Sequence, residues 1–508
     1  MRATPRMTAP NRTLRTVTTI IASVLLSAIV APLPSIQAQS LSRRVDRRLE
    51  TPPLQRNLWG IVLTTEGGEV LFGRNAERLF MPASNTKLVV GAVASALLPG
   101  DFTVTTSVYS TGPVVDGVVQ GDLVLYGRGD PTFSRRCYGV DTTLVGACED
   151  DPLKPLRLLA LQLKVRGIRA VAGDIIGDGS YFEPTVVHPS WEAYDLNWWY
   201  AAPVSGLGFN DNAIDITYAP GPDIDTPPTI SFSPDFGDVS FTNRARTSAR
   251  GSSKTLDFYR AQGTMDVWAE GDLPLGRNER TEYFALPDPN LFTAQAFRSA
   301  LIAEGIAVAG ATLSTTDSLQ YRHTRSSAAL AEVRSRPLKD WIFPILNSSQ
   351  NWFAEMTLKQ LGKQFGSAGS WREGLEVEKR FLIDSVGIDS TQFSFSDGSG
   401  LAGNNVVTPL ALAQLLGYMR HHPNFDVFAA GLPQSGSRGS LRSRFLGTPL
   451  EGRVMAKTGS ISKVNSLSGY LEHRDGQQLI FSVIANHHIL GYTAMTQYID
   501  SVVVDLAR

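Results

Sequence analysis

The stretch from Asp101 to about Ser335 constrains this chain more than any other feature, because it interrupts a pattern that its two flanks share. Within it, short β-like runs such as Gly121–Tyr126 and Gly173–Ile176 alternate with turns, 219–237 is rich in Pro, Gly and Asp, and helical spacing surfaces only at Asp151–Val165 and Leu291–Gly305. On the N-terminal side, Asn57–Leu63 and Glu69–Gly73 read as a hairpin closed by Thr-Glu-Gly-Gly. From Ser84 to Leu98 apolar residues recur at 88, 89, 92, 93, 96 and 97, one face of a helix that Pro99-Gly100 ends. On the C-terminal side, helical spacing returns at 352–365, 371–387 and 408–420, followed by strands at Val464–Glu472 and Gln478–Ala485 and an amphipathic helix at 493–507. Neither flank is a complete domain alone. The reading is a multi-domain α/β protein in which 39–99 and 336–508 close into one domain around a β-rich insertion, 100–335, with a smaller nested domain near 212–285. With 508 residues there is enough chain for two or three cores.

Charge excludes one class of partner. Lys+Arg 47 against Asp+Glu 48 leaves no overall field that would hold a nucleic acid by counterion release. The first 38 residues differ from the rest: Arg2, Arg6, Arg12 and Arg15 precede an apolar run, Val17 to Val30, and Ile36-Gln37-Ala38 offers a small residue at a cleavage point. This reads as a secretory signal peptide. A retained anchor is disfavoured, because Pro32 and Pro34 cut the run short of the ~20 residues a span needs. The expected mature chain has no transmembrane anchor and is exported to the periplasm or cell-wall space. Cys137 and Cys148 favour a local disulfide over a metal site, since neither has a second Cys or a His at ligand spacing. No metal ligands and no cofactor are expected.

Three short motifs carry chemistry. Ser84-Asn85-Thr86-Lys87 sets a hydroxyl at a helix start with an amine one turn along the same face, where a desolvated, neutral Lys can take the proton of an attacking Ser. A second S-x-x-K, Ser460 to Lys463, falls on an expected strand, where positions three apart face opposite ways, and is set aside. Ser349-Gln350-Asn351 opens an amphipathic helix, with a second hydroxyl able to relay a proton. Lys457-Thr458-Gly459 begins a strand, where Lys and Thr can engage a carboxylate and Gly lets a substrate backbone lie along the sheet edge.

In this order the motifs resemble those of the penicillin-recognising serine enzymes. Their placement either side of a large insertion is similar to the D-alanyl-D-alanine carboxypeptidase/endopeptidase family of class C low-molecular-mass penicillin-binding proteins. Further landmarks are Gly127-Arg128-Gly129-Asp130, Gly173-Asp174 leading to Asp178-Gly179-Ser180-Tyr181-Phe182, Ala202-Pro203-Val204-Ser205, Asp397-Gly398-Ser399-Gly400-Leu401 and Leu467-Ser468-Gly469-Tyr470. The resemblance implies an antiparallel sheet flanked by helices, peptidoglycan stem peptides and cross-links as substrate, and β-lactams as acylating inhibitors. It assigns Ser84 as nucleophile, Lys87 as its base, and Ser349 and Lys457 as the proton path to the leaving D-Ala. Asn351 would hold the peptide amide, and Thr458, Gly459 and Ser460 would bind substrate. Asp178 and Phe182 would line the cleft from the insertion.

One departure accompanies the match. Where familiar members continue Ser-Arg after Asp-Gly-Ser-Gly-Leu, this chain has Ala402-Gly403, so a cation near the cleft is missing unless Arg438 or Arg442 replaces it. A β-lactamase is disfavoured because the string nearest to E-x-x-L-N, Glu192 to Asn197, has one residue too many. Two further functions compete with the carboxypeptidase reading: a peptidoglycan-binding scaffold, and a peptidase or esterase acting on another D-amino peptide. Since all three motifs lie outside 100–335, an excision of that stretch that rejoined the ends and still folded is expected to keep acylation by penicillin but to lose cleavage of cross-linked wall.

Overall fold

The computed structural model describes residues 36–134, 151, 153–237 and 239–508; Cys137, Cys148 and most of the expected leader lie outside these. Both chain ends build one five-stranded sheet. Its strands are β1 (Leu58–Thr65), β2 (Val70–Arg74), β3 (Val454–Ile461), β4 (Val464–Glu472) and β5 (Gln478–Asn486), in the order β2-β1-β5-β4-β3. Every neighbouring pair is antiparallel. Side chains alternate across this sheet, as the two-residue period of a strand requires. Ile61, Leu63, Phe481 and Val483 point into one core with Val45, Leu49, Met495 and Ile499 of helices α1 (Ile36–Leu49) and α6 (Tyr492–Leu506). Val62, Ile480 and Ile484 point into the other core, against α2 (Lys87–Leu97) and α5 (Pro409–Arg420). With both faces covered, the strands read in sequence as nearly unbroken apolar runs.

α2 is buried on all sides rather than on one stripe: Lys87 to Ser95 are all inaccessible. The sheet lies beneath it, and α3 (Asn351–Phe365), Leu338–Leu346 and α5 close over it. This explains why Gly91 and three Ala fill positions that an amphipathic helix would give to polar residues. The helix expected over 371–387 ends earlier as α4 (Trp371–Arg380), and a π-helical turn, Phe381–Val386, carries the chain to left-handed Gly387.

The chain leaves this domain after α2 and returns at Leu338. Between them, Thr312–Thr315, Ile175–Asp178, Leu123–Tyr126, Thr105–Ser110 and Ala331–Arg334 form a second five-stranded sheet, in that order, parallel across its first three strands and antiparallel beyond. Helices Lys154–Val165 and Pro289–Ala303 bury Leu159, Leu163, Phe297 and Leu301 with Leu123, Leu125 and Ile175 of that sheet. Two three-stranded sheets occupy 213–285. Ala213–Ala219 pairs with Thr229–Ser233 and Arg280–Ala285, and Asp266–Glu270 pairs with Ser240–Asn243 and Asp257–Arg260. Among the described residues no helix is long and apolar enough to cross a membrane.

Candidate active site

Ser84 sits on a 3-10 turn, Ala83–Thr86, that leads directly into α2. That turn is fastened to the sheet from beneath: Ser466 Oγ donates to the Pro82 carbonyl at 2.6 Å and Asn85 Nδ2 to Ser468 Oγ at 2.7 Å, both partners on β4. The packing also dictates Gly459, since a Cβ there would stand 2.6 Å from the Pro82 carbonyl oxygen and 2.2 Å from Ser466 Oγ. Gly459 thus admits the serine-bearing turn, a packing reason that the motif alone does not suggest. Gly400 does the same from the opposite side. It is left-handed (φ +79), and a Cβ on it would fall 2.0 Å from the Ala83 carbonyl oxygen.

Lys87, first residue of α2 and wholly buried, meets three oxygens. Its Nζ lies 2.9 Å from Ser84 Oγ, 2.6 Å from Asn351 Oδ1 and 2.6 Å from the Ser399 carbonyl. Lys457, on edge strand β3, directs its equally buried Nζ to Ser349 Oγ at 2.8 Å and to the Thr458 carbonyl at 2.6 Å. Ser349 reaches it from a left-handed backbone (φ 60), a conformation that costs a non-glycine residue about 1–2 kcal/mol and that the surrounding packing enforces. Asn351 is held at both ends, because its Nδ2 donates to the Tyr200 carbonyl at 2.7 Å. The three motifs, far apart in sequence, thus meet as two linked pairs, Lys87 on Ser84 and Asn351, and Lys457 on Ser349.

Burial governs the electrostatics. Desolvation lowers Lys87 to about 7 against the opposing pull of the Asp397 and Glu355 carboxylates. Lys457 is driven well below the ordinary lysine range by burial and by its neighbour Lys87. On the far side of Lys87, burial and then Asp397 push Glu355 up to about 7.

A cavity of about 520 Å³ opens over Ser84, lined by Ser349, Asn351, Gly400, Leu401, Gly403 and Ser460, with Glu192, Asp195, Trp199 and Tyr200 as its wall from the insertion. None of its described lining residues is Lys or Arg. A larger cavity, about 840 Å³, lies against α1 and α6 among Arg43, Arg44, Arg47, Arg48 and Arg508, but holds none of the three motifs. The site is therefore placed by its chemistry, not by cavity size.

A family model described as the D-Ala-D-Ala carboxypeptidase 3 (S13) family matches residues 41–507. The chain belongs to that family. Its activity class is accordingly that of a serine D-Ala-D-Ala carboxypeptidase. This S13 chain is 30% identical over 475 residues to a D-alanyl-D-alanine carboxypeptidase of Actinomadura sp. strain R39, covering 91% of this chain and 84% of that one. It is 23% identical to D-alanyl-D-alanine carboxypeptidase DacB of Haemophilus influenzae, with 94% of each covered. The crystal structure of penicillin binding protein 4 from H. influenzae superposes with a TM-score of 0.78 at 20% identity, over 93% of this chain and 100% of that one, so the fold is shared.

Of the residues singled out in the sequence, Ser84, Ser349, Asn351 and Ser460 line the S13 cavity, and Lys87 and Lys457 lie beneath it. Thr458 pairs its hydroxyl with Ser440 Oγ at 3.0 Å. Asp178 and Phe182 are not brought to the cavity. Asp178 is fully buried and ion-paired with Arg325 at 3.0 Å, and Phe182 packs in the core against Gly129 and Gly369. The D-x-S-x-F string suggests a carboxylate and an aromatic facing the cleft, but the strand end that carries them buries both. Arg438 donates to the Leu432 and Ala429 carbonyls, and neither it nor Arg442 lines the cavity. The wall residues Glu192, Asp195, Trp199 and Tyr200 escape sequence reasoning. The acid-and-aromatic density of 191–200 is their only signal, and it has no spacing rule.

Proposed function

We propose that this chain is a penicillin-sensitive serine D-Ala-D-Ala carboxypeptidase and D,D-endopeptidase that cleaves peptidoglycan stem peptides and cross-links through an acyl-enzyme on Ser84. The observation that carries the assignment is the environment of Lys87 Nζ. A neutral amine has two N–H groups and one lone pair, and the Asn351 and Ser399 oxygens, which can only accept, take both N–H groups. The lone pair is left facing the Ser84 hydroxyl, 2.9 Å away. Lys87 removes the Ser84 proton as Oγ attacks the carbonyl carbon of the penultimate D-Ala. The backbone N–H groups of Ser84 and Ser460 hold the oxyanion. Collapse expels the terminal D-Ala, whose nitrogen is protonated along the Ser349–Lys457 pair, and water then releases the acyl group. Asn351 aims Lys87 in this scheme rather than holding the peptide amide.

On the same reading β-lactams are acylating inhibitors and the protein works outside the cytoplasm, in keeping with its basic, then apolar leader. The lack of Lys and Arg among the described cavity residues supports endopeptidase action, since no exposed cation demands a free terminal carboxylate. The transpeptidase-like domain is 39–99 with 336–508, and 100–335 supplies the wall. The test is burst labelling by a fluorescent penicillin together with D-Ala release from a stem pentapeptide. Wild type should show both and Ser84→Ala neither; labelling that survives in Ser84→Ala would overturn the assignment.

A further inference from the structure

The scheme above needs the Ser399 carbonyl to occupy one N–H of Lys87, and Ser399 lies on an irregular loop, 397–402, that has no regular ladder to hold it. Two buried carboxylates hold it instead. Glu355 Oε1 accepts from the Ser399 N–H at 2.7 Å, and Oε2 accepts from the Gly398 N–H at 3.0 Å and from Trp371 Nε1 at 2.8 Å. Asp397 accepts from the Gly400 and Ala402 N–H groups, each at 2.8 Å, and from Asn405 Nδ2 at 2.8 Å. Glu355 is also one turn beyond Asn351 on α3, so one helix face reaches Lys87 twice, directly through Asn351 and indirectly through Glu355 and Ser399. Structural ballast would be better served by an apolar side chain, because a wholly buried carboxylate is costly to desolvate.

We propose that Glu355 is a positioning residue for the general base, clamping the Gly398 and Ser399 amides so that the Ser399 carbonyl orients the Lys87 lone pair toward Ser84. The inference rests on Lys87 being that base. The charged and titratable groups facing Glu355 are Lys87 on α2, Asp397 on the loop, Glu378 on α4 and Lys359 one turn along α3, with His188 beyond Asp397 and Lys457 beyond Lys87. Glu355→Gln replaces an acceptor oxygen with a donor NH2 facing a backbone N–H. It also removes a negative neighbour of Lys87, which lets the lysine lose its proton more readily.

The experiment is the pH profile of penicillin acylation for Glu355→Gln and Glu355→Asp, each verified as folded by cooperative melting. Lys87→Arg and Leu361→Ala serve as comparators, the latter loosening α3 in the core away from the clamp. The plateau rate should fall 10- to 100-fold in both Glu355 variants with little change in penicillin binding. The acid limb should move to lower pH in Glu355→Gln. Leu361→Ala should melt earlier while acylating at near the wild-type rate. A folded Glu355 variant within threefold of wild type, with its acid limb unmoved, would overturn the positioning role. If Lys87→Arg also kept its rate, the base assignment itself would fall.

Discussion

At the scale of single residues, the proposed chemistry turns on one amine whose burial lowers its pKa to about 7. Lys87 held at about 7 is a base near neutrality, so acylation should decline as pH drops below 7, by about tenfold per unit once Lys87 is mostly protonated. Stopped-flow acylation between pH 5 and 9 checks this, and a rate independent of pH across 6–8 would contradict it. Lys87→Arg retains a cation that does not deprotonate, and acylation should fall by about 10² to 10⁴. Gly403 is the second residue with a measurable consequence. It lines the cavity, lies outside the left-handed region, and a Cβ on it would meet nothing within 4 Å. Gly403→Arg is therefore sterically permitted and should add one charge-assisted hydrogen bond to a free terminal carboxylate, about 1.5–3 kcal/mol. The ratio of kcat/KM on D-Ala-D-Ala termini to that on cross-linked peptides should rise roughly tenfold. An unchanged ratio would mean that carboxylate recognition already saturates elsewhere.

At the scale of elements, α3 and α4 enclose more acid than any local rule anticipates. Glu378 on α4 has both carboxylate oxygens buried without a hydrogen-bond partner, and burial, then Glu355 and Asp397, raise it well above the ordinary range. In the fold it therefore holds its proton to higher pH than its unfolded counterpart, which ionises near 4.5. A raised folded value means stability that is complete below the unfolded value and is progressively lost as pH climbs toward the folded one. Glu378→Gln stays neutral, so its melting temperature relative to wild type should rise steadily from pH 4 to pH 8. Calorimetry at four pH values checks the slope, and a flat difference would mean that Glu378 is not protonated in the folded state. Helix existence here was legible from apolar spacing at 352–365 and 371–387, although the second helix ends at Arg380. The carboxylate clamp was not, because Glu355 and Glu378 occupy positions that in a sequence read as solvent-facing.

At the scale of the whole molecule, insertion and host share a core. Phe182, Trp191, Ala201, Ala202 and Val204 pack in one cluster with Leu88, Val93, Trp352 and Leu361, and the Tyr200 carbonyl holds Asn351. A single cooperative melting transition is expected rather than one per unit, and scanning calorimetry would reveal two if the units were independent. The condition attached to removing 100–335, that the remainder still folds, meets an obstacle in the same contacts, since excision bares that core.

The sequence by itself determined the three motifs and the helix start and strand that carry two of them. These rest on local periodicity and on side-chain types that only one chemistry uses together. Only the tertiary structure decided that Gly459 admits the serine turn, that Asp178 and Phe182 are core, that Glu192, Asp195, Trp199 and Tyr200 wall the cavity and that Glu355 holds the loop whose carbonyl meets Lys87. Each of these depends on which long-range neighbour fills a given few ångströms. Spacing along a chain cannot specify that, because burial is a property of the packed whole.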